Sequence, residues 1–141
     1  MRRKTEKKMI VVIGASRLGA QIASMSSEDG IYTAIVDSDA SSFNKVSGNY
    51  SGDKILGDAQ ETSVLEKAHI REAKEAVVAT GDDDTNIFIA CLITTLYSVP
   101  NVIVRLRDER KAALLSDPRI QVISTSMLSL NAYKAIKATE E

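Results

Sequence analysis

This chain has one cysteine, two prolines and a formal net charge of only −1, and each scarcity removes a class of protein. A single thiol can form neither an intrachain disulfide nor a multi-cysteine metal site. Cys91 lies in the apolar run IFIACLITTL, where a small buried hydrophobe is expected rather than a nucleophile. So even a charge balance gives no general attraction to nucleic acid or to an anionic membrane. The exception is the start of the chain, where Arg2, Arg3, Lys4, Lys7 and Lys8 face only Glu6. Residues 1–8 are therefore expected to form a solvated basic arm. Long apolar runs are also missing. The longest, residues 87–96, is about half of the ~20 residues that a bilayer span needs. The basic start leads into a short apolar run and a glycine turn, which is not a secretory signal. Together these features read as a soluble, intracellular chain. There is no low-complexity segment and no internal repeat. The one histidine, His69, lies at a predicted helix end and is expected at the surface rather than as a general base.

What is present is an ordinary globular composition. Apolar residues make up 44% and charged residues 26% of 141, enough for one domain with a real core over residues 9–141. Short β-branched runs at residues 9–13, 31–36, 54–56, 75–80, 101–106 and 121–124 lack polar alternation, as strands covered on both faces do. Helical patterns separate them, at residues 18–27, 40–46, 61–68, 83–97 and 109–115. A last helix runs from about residue 127. Strands alternating with helices imply a Rossmann-like α/β fold, a doubly wound, six-stranded parallel sheet with helices on both faces. Pro100 and Pro118 sit before the fifth and sixth strands. Met127, Leu130, Tyr133 and Ile136 put one apolar face on the last helix, which would dock on the sheet or on another subunit.

Four loops follow strand ends, where ligands of open parallel sheets bind. The first is GASRLG, Gly14 to Gly19. Its spacing fits G-x-G-x-x-G with Ser16 in place of the second glycine. Gly14 permits a tight turn, Ala15 follows in it, and Gly19 allows close helix packing. Ser16 narrows the approach to a pyrophosphate but could offer its hydroxyl, and Arg17 adds a cation. With Leu18, these residues open a helix whose N–H groups suit a phosphate. The second loop begins at Asp37, about 20 residues on, where a carboxylate accepts hydrogen bonds from an adenosine ribose. Ser38 follows. The segment SDASS holds no Arg or Lys for a 2′-phosphate, which disfavours NADP. In the third loop, Asp58 and Ala59 either flank an adenine or begin a helix cap. In the fourth, Thr80 and Gly81 lie near the middle of a ligand, and Asp82 to Asp84 are expected as helix caps rather than a metal site. Arg105, late in the fifth strand and followed by Arg107, could reach the phosphates or pair with one of the nearby carboxylates. Tyr50 and Lys54 match the Tyr-x-x-x-Lys spacing of short-chain dehydrogenases, but Gly52 and Asp53 break the helix that pattern needs.

With these pieces in place, the chain resembles the RCK N-terminal domain, also called KTN or TrkA-N, over residues 9–133. The resemblance rests on VVIGASRLGAQIA, IVDSDASSF, GDAQETSVLEKAHI, AVVATGDDDTNIFIACL and VIVRLRD, in that order. It implies a nucleotide-binding regulatory domain of Trk and Ktr potassium-uptake systems and of potassium channels. The ligand would be NAD(H) or ATP/ADP, with AMP as a further candidate. By position, it implies that Gly14, Ser16, Arg17 and Gly19 hold phosphates, and that Asp37 holds the ribose. Asp58 and Ala59 would lie by the adenine, with Thr80, Gly81 and Arg105 on the phosphate side. It further implies no catalysis, a homodimer that could extend to a ring, and a cytoplasmic place beneath a membrane transporter or channel subunit. The family's usual C-terminal subdomain has no counterpart in these residues, so another chain or a longer form of this one would carry it. Two other readings of the same residues are a small NAD-dependent oxidoreductase and an interaction module with a vestigial site.

Overall fold

A computed structural model describes residues 8–140, so Arg2, Arg3, Lys4 and Lys7 of the expected basic arm lie outside the described residues. Six strands, β1 (Met9–Ile13), β2 (Tyr32–Asp37), β3 (Asp53–Leu56), β4 (Glu75–Val78), β5 (Asn101–Leu106) and β6 (Ile120–Ser124), form one sheet in the order β3-β2-β1-β4-β5-β6. Every pairing is parallel. The helices are α1 (Arg17–Glu28), α2 (Thr62–Lys67), α3 (Asp83–Leu96) and α4 (Thr125–Ala138). This is the expected α/β architecture. The winding reverses between β1 and β4, which leaves a crevice above their C-terminal ends.

The two-residue period of a strand divides the core. Met9, Val11 and Ile13 of β1 face one side, packed with Leu65 of α2 and with Ile89 and Ile93 of α3. Ile10 and Val12 face the other, packed with Ile22 and Ala23 of α1 and with Phe43 and Val46. A strand buried on both faces needs apolar residues at consecutive positions, and MIVVI supplies them. Two of the expected helices, at residues 40–46 and 109–115, are instead 3₁₀ helices, Ala40–Lys45 and Glu109–Leu114. Each opens on an aspartate that accepts a backbone N–H two residues on, Asp39 from Ser41 and Asp108 from Arg110. The tight local turn suits such short connections.

One expectation about apolar surface fails and a second is narrowed. Cys91 is exposed, not buried. α3 is apolar on all sides, but its inward face is taken by Asn86, Ile89, Ala90 and Ile93. Cys91 falls on the outer face with Phe88 and Leu96, both half exposed. Of the two places expected for the apolar face of α4, the sheet of its own chain does not take it. Leu130, Tyr133 and Ile136 all stand exposed, and no residue of this helix is buried.

Two glycines of the first loop are steric requirements. Gly14 has φ +99°, and a Cβ there would meet Thr80 N at 2.7 Å and Ala79 C at 2.8 Å. A Cβ on Gly19 would come to 1.9 Å from the Gly14 carbonyl oxygen. Gly→Ala inside a helix ordinarily gains about 1 kcal/mol. Here the clash reverses the sign, and Gly19→Ala is expected to cost at least about 2 kcal/mol by urea unfolding. Gly48, with nothing within 4 Å of its added Cβ, supplies the control: Gly48→Ala should stay within about 0.5 kcal/mol.

Candidate functional site

The crevice is a cleft of about 510 Å³ over the C-terminal ends of β1, β2, β3 and β4. Of the residues expected at the site, Gly14, Ala15, Ser16, Asp37, Ser38, Asp58, Ala59, Thr80, Gly81 and Asp82 line it. Four others do not, for different reasons. Gly19 is buried beneath the turn, against Gly14. Leu18 is half-buried, and the Arg17 side chain is exposed. Both contribute the start of α1 rather than a wall of the cleft. Arg105 alternates with Val104 and Leu106, which face the α3 side, so its side chain lies on the α1 side of the sheet. Its Nε is buried with no hydrogen-bond partner.

The turn is held from both flanks. Asp37 Oδ2 accepts the Ala15 N–H at 2.8 Å, and Oδ1 accepts the Asp39 N–H at 2.8 Å. Each carboxylate oxygen has two lone-pair sites, so half of the capacity remains for a ligand. Ser16 is the N-cap of α1. Its Oγ accepts the Gly19 N–H at 3.2 Å and donates to the Ala79 carbonyl at 2.6 Å. The hydroxyl proton expected for a phosphate oxygen is therefore used to tie α1 to the end of β4. The Ser16, Arg17 and Leu18 N–H groups are left without protein acceptors among the described residues. Unpaired donors at a helix N-terminus are what an anion needs.

Asp58 answers the question its position raised. Its Oδ1 accepts the Gln60 N–H at 2.9 Å, closing a turn, while the N-cap of α2 is Glu61. The residue shapes the loop and lines the cleft without capping the helix. The acidic cluster is fully accounted for. Asp82 caps α3 by accepting the Asp84 and Thr85 N–H groups, and Asp84 pairs with Lys111 at 2.9 Å. Asp83 accepts the backbone N–H groups of Arg107 at 2.8 Å and Asp108 at 3.0 Å. Burial pushes the Asp83 carboxyl upward, but those two bonds, with Lys111 and Arg107 nearby, outweigh it and hold it below the usual range. No group of metal-ligating side chains occurs among the described residues.

Two important residues escaped the sequence reading. Asn86 is buried inside α3. Its Oδ1 accepts the Thr80 N–H at 3.0 Å, and its Nδ2 donates to the Thr80 carbonyl at 3.1 Å and the Arg105 carbonyl at 2.9 Å. It thus fixes the fourth loop and the end of β5 together. Asn86 in TNIFIACL carries no motif, and only its polarity in an apolar helix was a signal. The second is Lys45, which lines the cleft from the 3₁₀ helix after β2, eight positions beyond Asp37. Ser42, Gln60 and Thr85 also join the wall. The dehydrogenase-like pair dissolves: the Tyr50 hydroxyl donates to the Asp53 carbonyl at 2.6 Å, at the opposite end of the sheet. Burial, then the Asp53 charge, pushes its pKa up. His69 is exposed, as expected.

A parallel six-stranded sheet in this order, with a glycine turn at the point of reversal, defines a Rossmann-like domain whose ligand site lies over the strand ends. Residues 10–125 match the TrkA-N domain, and the chain belongs to that family. A Trk system potassium uptake protein TrkA homolog from Pyrococcus horikoshii is 36% identical over 110 residues, covering 77% of this chain and 47% of the relative. The Trk system potassium uptake protein TrkA of Streptomyces coelicolor is 28% identical over 116 residues, 82% of this chain and 52% of the relative. The chain thus spans about half the length of these curated relatives. Among solved structures, the GsuK channel bound to NAD superposes with a TM-score of 0.76 at 25% identity, over 94% of this chain and 24% of that one. The TrkA-N domain of the inner membrane protein ybaL from Escherichia coli has a TM-score of 0.80 at 13% identity, covering 95% of this chain and 98% of that one. At that identity it shows the fold alone.

The Asp83 latch makes stability depend on pH in a defined direction. A carboxyl whose folded pKa is depressed stabilises above its unfolded value, near 3.9, and the gain disappears as pH falls through the lower folded value. Asp83→Asn should therefore cost about 1 kcal/mol at pH 7. In urea titrations the gap to the parent should close as pH drops below about 4.

Proposed function

We propose that this chain is a nucleotide-binding regulatory module of a potassium transport system, and that its ligand is an adenine nucleotide, NAD(H) or ATP/ADP, with AMP a smaller member of the class. The observation that carries this reading is the pairing of Asp37 with the start of α1 on one cleft. A carboxylate with free lone pairs lies beside a helix N-terminus bearing three unpaired N–H groups. The first suits a ribose diol and the second a phosphate. The TrkA relatives and the GsuK channel bound to NAD support the same assignment.

The reading is of a switch and not of a catalyst. Curated relatives are potassium uptake proteins, and the phenol of Tyr50 is engaged far from the cleft. Regulation would require the nucleotide to bind two arrangements of a homodimer, or of a larger ring, with unequal affinity. The membrane transporter or channel subunit would feel that difference from the cytoplasmic side. Residues 9–141 would act as one such domain, preceded by the basic arm.

The test is thermal unfolding of the full chain with NAD, NADH, ATP, ADP and AMP in turn. A true ligand at 100 times its dissociation constant should add about 2.7 kcal/mol. Asp37→Ala lowers the starting stability because the Ala15 and Asp39 N–H groups lose their acceptor. The diagnostic quantity is thus the nucleotide-induced shift, which should vanish. A parent chain that none of the five stabilises, or an Asp37→Ala variant with the full shift, refutes the assignment.

A further inference from the structure

We infer that Lys45 is a positioning residue for the phosphate-binding turn, acting through the Ala15–Ser16 peptide. The inference rests on the nucleotide reading above and adds a residue to it. Lys45 ends the 3₁₀ helix Ala40–Lys45, whose neighbours Phe43 and Val46 pack on the α1 side of the core. From that anchored base its side chain crosses to the cleft, and Nζ donates to the Ala15 carbonyl oxygen at 3.1 Å. Ala15 is thereby gripped on both sides. Its N–H is held by the Asp37 carboxylate at 2.8 Å, and its C=O by the Lys45 ammonium.

The consequence lies one atom further on. The peptide between Ala15 and Ser16 is trans and planar, so its C=O and N–H point in opposite directions. An ammonium that fixes the carbonyl also fixes the Ser16 N–H, on the far side of the same plane. That N–H is the first of the three unpaired donors at the start of α1. Lys45 therefore sets the aim of a phosphate donor that it need not touch. A charge-assisted bond is stronger than a neutral one, so the Lys45 ammonium holds the Ala15 carbonyl more firmly than a neutral donor would.

The test is amide NMR of the full-length protein, parent against Lys45→Met and Lys45→Arg. Lys45→Met keeps the stem and removes the ammonium. In the ligand-free variant the Ser16 amide resonance should move while the amide resonances of the sheet stay in place, which shows that the fold is retained. On titration, AMP affinity should fall about tenfold, the scale of one such bond, with adenosine affinity unchanged. Lys45→Arg should restore both the resonance and the AMP affinity. Weakened AMP binding with an unmoved Ser16 amide would mean that the ammonium acts on the phosphate directly, and would overturn the positioning role. So would equal losses for AMP and adenosine, no loss for either, or a loss confined to NADP. If the parent chain binds no adenine nucleotide at all, the functional reading fails first and this inference falls with it. A parent that binds AMP separates the two.

Discussion

The structure depends on how closely the β1–α1 turn is pressed against the end of β4. Gly14 lies so near Ala79 and Thr80 that a single methyl group has no room. Ser16 then ties the start of α1 to the Ala79 carbonyl. These contacts join the two halves of the sheet at the point where its winding reverses. They also place a helix N-terminus, the Asp37 carboxylate and the fourth loop around one cleft. A looser turn would leave the strands paired but would separate the donors from the carboxylate. The serine that replaces the usual glycine belongs to this constraint: its hydroxyl takes two protein partners, Gly19 N–H and Ala79 O, so it works as a cap and a tether.

The opposite flank is bolted by α3. Asn86 satisfies both the N–H and the C=O of Thr80 and the C=O of Arg105. Asp83 satisfies two N–H groups just beyond β5. A buried amide with its partners complete is rigid, whereas one with a partner missing is costly. The fourth loop is therefore part of the packed domain and not a free flap. At the far end of the same helix, Arg119 donates to the carbonyls of Thr94 and Tyr97 and pairs with Asp117 at 2.8 Å. The Arg119 side chain, followed by its backbone N–H, holds the Asp117 carboxyl down to about 2. Both ends of α3 are thus fixed by charged or amide groups, and the helix cannot shift along its axis without breaking them.

Apolar surface is distributed unevenly as a result. The inner face of α3 is buried, while Phe88, Cys91 and Leu96 are exposed on its outer face. α4 leaves the sheet with Leu128, Tyr133 and Ile136 more than half exposed. In a chain that spans about half of its curated relatives, such faces mark where the described domain ends its own packing.

Much of this was readable from local pattern. Consecutive β-branched residues identified β1, glycine spacing identified the turn, and the position of Asp37 at the end of β2 placed a carboxylate beside that turn. The capping role of Asp82 followed from where the helix begins, whereas Asp83 and Asp84, expected to share it, bind the N–H groups beyond β5 and Lys111 instead. The features read correctly depend on neighbours along the chain, whose geometry the backbone itself prescribes. What only the tertiary structure decided depends on partners far apart in sequence. Cys91 looked buried because an apolar run is the same whichever side meets the core. Arg105 does not line the cleft, because strand alternation sends its side chain to the α1 side, where its Nε is buried without a partner. Asn86 and Lys45 carry no motif, because their partners lie at separations of 6 to 30 residues. By itself the sequence determined the alternation of strands and helices, the turn and the acidic residue. The packing of one half of the sheet on the other decided which side chains reach the cleft. Hydrogen bonds across such separations exist only after the strands have paired.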